Sequence, residues 1–188
     1  MDVFELNNSL QSEGQDLLEK TKLLEKLKAY GKLAIGGSFV YGTMVDRDID
    51  IAVIVDKKVI DVNLRKKVCN MLLDLDDLDG LALTDRALFP KQNAPYGIWF
   101  GPQINNKGKK WNIDIWFVSQ DETNSHHNQD LAKRMLSITE AQRKIILDIK
   151  YQCLVNDQKE KGITSSDIYK AVLDNNVKTY EEYLNFFS

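Results

Sequence analysis

Asp48 and Asp50 are the residues of this sequence whose type and spacing most clearly suggest chemistry. They open a β-branched stretch, residues 48–55, which becomes wholly apolar and is typical of a buried strand. Because side chains alternate across a strand, both carboxylates face the same side and Ile49 faces the other. Two adjacent carboxylates repel each other, so one would take up a proton unless a cation lay between them. Mg²⁺ suits that position because it prefers oxygen ligands.

A third acid, Asp114, stands alone in the apolar stretch 111–118. A lone carboxylate in an apolar strand is costly unless a partner satisfies it. If this strand lies beside the strand of Asp48 and Asp50, the three carboxylates converge and can hold two Mg²⁺ ions about 4 Å apart. One ion would activate an attacking hydroxyl, and the other would bind a triphosphate and stabilise the leaving pyrophosphate. We therefore expect Asp48, Asp50 and Asp114 to be both metal ligands and catalytic residues.

Gly36, Gly37 and Ser38 follow a short predicted strand, residues 33–35, and precede a predicted helix. Backbone N–H groups at the start of a helix bind anions, and glycine allows a phosphate to approach the backbone closely. Ser38 adds a hydroxyl donor, so these residues are predicted to bind the triphosphate of a nucleotide. Arg47, next to the first acid, is a further candidate for contact with phosphate or acceptor, and a solvated loop charge is an equal alternative.

The predicted elements that position these residues alternate between strands and helices up to about residue 118 and are helical afterwards. Residues 105–108 favour a tight turn between two strands. The order indicates an α/β fold, with a catalytic domain at residues 1–120 and a helical C-terminal segment at residues 121–188. Predicted helices span residues 12–30, 39–44, 59–78, 128–155, 165–174 and 179–187, and predicted strands span residues 33–35, 48–55, 81–89, 96–104 and 109–118.

Gly37 and Ser38, Asp48 ten residues further on, Asp50 and the distant Asp114 together resemble the signature of the DNA polymerase β-like nucleotidyltransferase superfamily. The resemblance is to the small bacterial-type members, without a match to one subfamily. It implies a mixed β-sheet flanked by helices and followed by a helical segment. It also implies that Asp48 and Asp50 bind both metal ions, that Asp114 completes the site, and that the Gly-Ser turn contacts the β- and γ-phosphates.

These expectations describe an enzyme that moves a nucleoside monophosphate from an NTP to an acceptor hydroxyl and releases pyrophosphate. ATP is the expected nucleotide. The expected acceptor is a small molecule such as an antibiotic or a metabolite, because the chain is short, has a net charge of −3 and contains no evident RNA-binding module. A protein or RNA acceptor is the second choice. A non-catalytic nucleotide-binding module of the same fold is the alternative from another functional class.

The composition narrows the class of protein further. With 188 residues, 43% of them hydrophobic and 28% charged, the chain can bury a core of its own. A net charge of −3 gives no strong attraction to nucleic acid or to an anionic membrane. No apolar run approaches the roughly 20 residues that a membrane span needs. Cys69 and Cys153 give no disulfide framework, so a reducing cytoplasm is expected. A homodimer formed through the C-terminal helices is left open.

Overall fold

The computed structural model describes residues 2–91, 95–126, 129–157 and 162–187, and at its centre is a five-stranded mixed β-sheet. The strands are β1 (Lys32–Gly36), β2 (Asp48–Ile54), β3 (Leu78–Asp85), β4 (Gly97–Asn106) and β5 (Lys109–Val118). They lie in the order β1-β2-β5-β4-β3, in which β2 and β5 are parallel and the other neighbouring pairs are antiparallel. The predicted α/β fold with a mixed sheet is therefore confirmed.

Helices flank this sheet and make up the described chain after β5. A short 3-10 turn, Lys57–Val59, also follows β2. The helices are α1 (Val3–Thr21), α2 (Leu23–Lys28), α3 (Gly37–Tyr41), α4 (Val62–Leu73), α5 (Gln120–His126), α6 (Gln129–Met135), α7 (Glu140–Val155), α8 (Ser165–Asn175) and α9 (Tyr180–Phe187).

One face of the sheet is apolar and packs against α1, α2 and α4. Leu17, Leu27 and Val68, one from each of these helices, belong to the same hydrophobic cluster as the strands. Every second residue of β2 and β5 points to this face, and the buried side chains are Ile49, Ile51, Val53, Ile113, Ile115 and Phe117. Full burial of one such aliphatic side chain stabilises the fold by about 1.5–3 kcal/mol. The carboxylates of β2 and β5 therefore face away from this core.

A two-residue turn joins β4 and β5. Lys107 and Gly108 both have positive φ angles, of 54° and 79°. Positive φ at both central residues is the requirement of a type I′ turn, whose twist matches that of the flanking strands. The hairpin predicted from residues 105–108 is therefore confirmed, and its turn fixes the register that pairs β4 with β5.

The first helix starts well before the predicted position. The predicted start, residue 12, lies inside α1, whose cap is Asp2: the Phe4 N–H donates to Asp2 Oδ1 at 2.8 Å. Asn7 interrupts the apolar pattern of this helix. It is buried on the inner side, where its Oδ1 accepts a hydrogen bond from the Met44 N–H. A polar residue at a buried position interrupts the apolar stripe by which a helix is recognised.

Lys22, and not Gly31, has the left-handed conformation that follows α1, with a φ of 52°. It separates α1 from α2, so the predicted helix at residues 12–30 is in fact two helices. Gly31 allows two backbone segments to approach each other closely, since a Cβ there would overlap the carbonyl oxygen of Ile54.

The predicted helix at residues 59–78 is shorter at both ends. The Asp61 side chain accepts hydrogen bonds from the N–H groups of Asn63 and Leu64, and this cap fixes the start of α4. At the other end, Leu78 already belongs to β3. The apolar residues after α4 had been assigned to helix because a short apolar run does not distinguish a helix from a strand.

The predicted helix at residues 128–155 is divided into α6 and α7. Thr139 and Gln142 form a capping box: each side chain accepts a hydrogen bond from the backbone N–H of the other residue. This pair starts α7 and ends the continuity of the helix. Residue 128 itself lies outside the described part of the chain.

The C-terminal helices have a hydrophobic cluster of their own, which includes Ile146, Ile149, Val172 and Tyr183. A smaller cluster of Val3, Val45 and Leu147 joins α1 and the loop before β2 to α7. The boundary near residue 120 stays a prediction. Within the described ranges, no helix has both the length and the apolar character that crossing a bilayer requires.

Candidate active site

The three aspartates lie on one face of the sheet. Asp50 of β2 is the direct neighbour of Asp114 in the parallel pair with β5, and Asp48 is the neighbour of Asn112. Side chains at directly paired positions of adjacent strands point to the same face. The predicted adjacency of the Asp114 strand and the Asp48 strand is therefore confirmed.

The Gly-Gly-Ser turn lies directly against Asp50. Gly36 ends β1 and pairs with Asp50 across the antiparallel β1–β2 pair. Gly37 begins α3 with a φ of +65°, and a Cβ at Gly37 would overlap Oδ2 of Asp50. Glycine combines this left-handed conformation with such a close approach at little cost. Ser38 follows and is 8% exposed. The turn is shaped around a carboxylate, while its contact with phosphate stays a prediction.

The carboxylate of Asp114 is half-buried and has a hydrogen bond from a tryptophan. Trp99 Nε1–H of β4 donates to Asp114 Oδ1 at 3.1 Å. Burial raises the pKa of Asp114, and the hydrogen bond from Trp99 acts in the opposite direction without cancelling that effect. Sequence reasoning missed this partner, although alternation along β4 brings Trp99 to the acid face.

The donor set of this face suits Mg²⁺, since carboxylate oxygens are the ligands that this ion prefers. The side chains are not assembled around one ion, however. Among the described residues, no three His, Cys, Asp or Glu side chains are grouped so as to hold a metal. One oxygen of Asp114 is turned to Trp99 instead. The three aspartates therefore fit a metal site by type and by face, without the ready convergence expected from the sequence.

An open cleft runs over this face beside the acids. Ala82 and Gly101 are among the residues that line it. The other lining residues are Asp46, Asp48, Trp99, Pro102, Gln103, Asn112, Ile113 and Asp114. Two of the three aspartates are thus accessible to a substrate in the cleft.

Arg47 forms an ion pair with the first helix. Its Nε donates to Glu13 Oε2 at 3.2 Å, and Lys109 Nζ lies 2.6 Å from Glu13 Oε1. Burial alone would raise the pKa of Glu13, but the hydrogen bond from Lys109 and the charge of Arg47 lower it. Alternation explains the position, since Arg47 is one residue out of phase with Asp48. Its contact with a nucleotide stays a prediction and would compete with this ion pair.

A buried polar network behind α3 was not predicted from the sequence. Lys150 of α7 is 4% exposed, and its Nζ donates to the carbonyl oxygen of Thr43 at 2.8 Å. The Thr43 and Tyr169 hydroxyls lie 3.0 Å apart in a further hydrogen bond. Burial raises the pKa of Tyr169 to about 12, and the charges of Asp50 and Asp46 add to that shift. The network is therefore within electrostatic reach of the acid face.

Comparisons of sequence find no similar protein, whereas comparisons of structure find similar folds. No protein-family model matches the chain, and no curated protein matches it. The Cid1 poly(U) polymerase with magnesium and 3′-dATP is 16% identical, with a TM-score of 0.62 over 91% of this chain and 52% of that chain. The non-canonical poly(A) polymerase complex GLD-2–GLD-3 is 13% identical, with a TM-score of 0.59 over 95% and 59%. A cytoplasmic RNA terminal U-transferase is 17% identical, with a TM-score of 0.60 over 91% and 51%.

These similarities are similarities of fold. The chain spans little more than half the length of the structures it matches, and identities of this size do not carry an activity from one protein to another. The mixed sheet and its flanking helices agree with the fold that the Gly-Ser and Asp pattern implies. The chain has the nucleotidyltransferase fold, a mixed five-stranded sheet flanked by helices.

Proposed function

We propose that this chain transfers a nucleoside monophosphate from an NTP to an acceptor hydroxyl, with the help of divalent metal ions, and releases pyrophosphate. The register of β2 and β5 carries the proposal, because it sets Asp50 beside Asp114 and puts Asp48 on the same face. The open cleft beside these acids gives a substrate access to them. The fold shared with three RNA polymerases and transferases is further support.

In this scheme Asp48 and Asp50 hold two Mg²⁺ ions, and Asp114 completes the site. These oxygens would hold Mg²⁺, which would supply charge stabilisation at the triphosphate and favour ionisation of the attacking hydroxyl. Gly36, Gly37 and Ser38 contact the triphosphate through backbone N–H groups and the serine hydroxyl. The chain itself contributes mainly position: it holds acceptor and α-phosphorus in line and needs no covalent intermediate.

The nucleotide and the acceptor are the finer parts of the proposal. A structural neighbour bound to magnesium and 3′-dATP supports a divalent ion and a nucleoside triphosphate. ATP is our first choice, and UTP is tested beside it because that neighbour is named for UTP selectivity. The structural neighbours are named for action on RNA. The small-molecule acceptor expected from the sequence has no support from them, so an RNA 3′-hydroxyl is the acceptor to test first.

The test is a transfer assay with α-labelled NTPs, one base at a time, in MgCl₂ or in excess chelator. The acceptors are single-stranded RNA, a set of small-molecule alcohols, and lysate protein. We expect label transfer and pyrophosphate release in MgCl₂ alone. Asp48→Asn and Asp50→Asn should abolish both, with no loss of thermal stability, because each removes a metal ligand and keeps the shape of the side chain. Unchanged turnover in either variant would contradict the metal mechanism.

A binding assay separates the enzyme from a non-catalytic module of the same fold. Calorimetry with ATP should give binding that depends on Mg²⁺ if the acids hold the ion and the ion holds the triphosphate. Binding of equal strength with and without Mg²⁺, together with no transfer to any acceptor, would favour the module. The Asp48→Asn variant is the control, because it should lose the part of the affinity that depends on the metal.

A further inference from the structure

The indole of Trp99 contacts the third acid of the site across two strands. Its Nε1–H donates a hydrogen bond to Oδ1 of Asp114 at 3.1 Å, from β4 to β5, and both side chains line the open cleft. We propose that Trp99 is a positioning residue that orients the Asp114 carboxylate for binding of a divalent metal ion. This inference rests on the proposed function of the acid face, and it names a residue outside the sequence signature.

Trp99 reaches Asp114 because Gly101 leaves room for its ring. Gly101 lies two residues further along β4, so both point to the same face. A Cβ at Gly101 would lie 2.6 Å from Cη2 and Cζ2 of the Trp99 ring. The β4–β5 register, which pairs Phe100 with Ile115, brings Gly101 level with Asp114. The indole therefore lies across the glycine and directs its N–H to the carboxylate.

The hydrogen bond assigns different tasks to the two oxygens of Asp114. Oδ1 is held by Trp99, which leaves Oδ2 as the oxygen that would bind an ion on the acid face. The described acids are not grouped around one point. A carboxylate without a fixed orientation would therefore have to be oriented when an ion binds. A carboxylate that is already oriented loses less conformational freedom at that step. Outer partners of this kind typically change metal affinity by about 10–100-fold.

The other two tryptophans serve as comparisons for the contact between Trp99 and Asp114. Trp111 is fully buried on the apolar face, and its Nε1 has no hydrogen-bond partner among the described residues. The fold therefore tolerates an indole N–H without a partner, and satisfaction of the donor alone does not explain the position of Trp99. Trp116 pairs directly with Trp99 on the acid face and takes no part in the bond to Asp114. It is the matched control.

The experiment measures Mn²⁺ binding by calorimetry without nucleotide, so that its readout is independent of turnover. Trp99→Phe keeps an aromatic ring and removes the N–H donor. We expect the Kd for Mn²⁺ to rise about 10-fold or more, and the Mn²⁺ concentration needed for half-maximal transfer to rise with it. Trp116→Phe should leave the Kd for Mn²⁺ unchanged. Asp114→Asn reports the loss of the ligand itself.

Gly101→Ala tests the same contact without changing the tryptophan. The added Cβ displaces the Trp99 ring, and the fold should tolerate this because the atoms it meets belong to the end of a side chain. We expect a rise in the Kd for Mn²⁺ similar to that of Trp99→Phe. The double variant should be no worse than Trp99→Phe alone, because the hydrogen bond can be lost only once.

The outcomes separate this inference from the proposed function. If wild type binds Mn²⁺, Asp114→Asn weakens binding and Trp99→Phe does not, the positioning role is overturned and the metal site stands. If Trp99→Phe raises the KM for NTP and leaves the Kd for Mn²⁺ unchanged, the indole stacks on the nucleotide, and the positioning role is again overturned. If wild type neither binds Mn²⁺ nor transfers a nucleotide, both proposals fail together.

Discussion

Two carboxylates of the molecule, one on the open face of the sheet and one on the first helix, have opposite electrostatic surroundings. Burial raises the pKa of Asp114, and its hydrogen bond from Trp99 offsets only part of that shift. Burial would also raise the pKa of Glu13, but Lys109 and Arg47 lower it below its ordinary value. The protein thus places two cations beside Glu13. Ionised Asp114, in contrast, destabilises the folded protein.

The difference distinguishes a carboxylate that is available to a ligand from a carboxylate that stabilises the fold. An acid whose ionised form is unfavourable in the folded protein, and which lines an open cleft, is typical of a functional site. An acid held by two cations between a helix and the sheet is typical of a structural one. The unfavourable setting of Asp114 is what a metal ion would relieve, because a bound cation favours the ionised carboxylate.

Asp50→Asn should produce the largest effect on the acid face. Transfer should fall by more than about 100-fold, since even outer partners of a metal site cost about 10–100-fold when they are removed. The melting temperature without metal should stay level or rise, because a repulsion between neighbouring carboxylates is removed. Activity assays and thermal unfolding of the same preparation check both parts. A fall in melting temperature without metal would make Asp50 structural and break the comparison.

Gly37→Ala should come next in size. The new Cβ would overlap Oδ2 of Asp50 at a residue with a φ of +65°, so the turn and the carboxylate must move apart. Left-handed backbone costs a residue with a Cβ about 1–2 kcal/mol, and displacement of reacting groups by about 1 Å can cost about 100-fold in rate. We expect a transfer rate reduced by about 10–100-fold, measured at saturating NTP. Gly108→Ala, at a positive φ in the distant hairpin, controls for backbone strain alone and should keep the rate.

Tyr169→Phe tests a hydrogen bond within the buried polar network behind α3. It leaves the fully buried Thr43 hydroxyl without the partner at 3.0 Å, and an unsatisfied buried group costs about 1–3 kcal/mol. Thr43→Val should cost a similar amount in urea unfolding. The double variant should cost less than the sum of the two, because both partners are then gone. Strictly additive losses would show that the two hydroxyls do not depend on each other.

The acid face was predictable from the sequence because its geometry is local. Alternation along one strand sets Asp48 and Asp50 on one side, and the apolar neighbours of Asp114 require a strand with the same orientation. The positive φ angles of Lys107 and Gly108 follow equally from local turn chemistry. In each case, the residues concerned lie within one strand or one turn, and the adjacency of the two strands was the added assumption.

The partners of the acids were not predictable, because they depend on contacts between distant parts of the chain. Nothing in the sequence near Arg47 indicates that Glu13 will lie 3.2 Å away. The bond from Trp99 to Asp114 needs the register of the hairpin and the missing side chain of Gly101. A weak signal did exist for Lys150, a lone cation among the buried residues of α7, and a cation at such a position calls for buried oxygen partners.

The smallest effects concern the two carboxylates compared at the outset, and they differ in sign. The raised pKa of Asp114 means that its ionised form destabilises the folded protein above that pKa, and the cost disappears as the pH falls through it. The lowered pKa of Glu13 means that its ionised form adds stability above its ordinary pKa, and this stability is lost as the pH falls. Without metal, Asp114→Asn should therefore raise the melting temperature at pH 7, and Glu13→Gln should lower it.

The Glu13 effect should stay below about 1 kcal/mol, because the pair is partly exposed and solvent screens it; that is at most about 2–4 °C for a chain of this size. Both differences should shrink as the pH is lowered below the ordinary range of a carboxyl group, when Asp114 and Glu13 are protonated in the folded and unfolded chains. Addition of Mn²⁺ at pH 7 should stabilise wild type and Glu13→Gln, and should stabilise Asp114→Asn less. A metal response that is equal in all three proteins would show that the acid on the open face is no more a ligand than the acid on the helix.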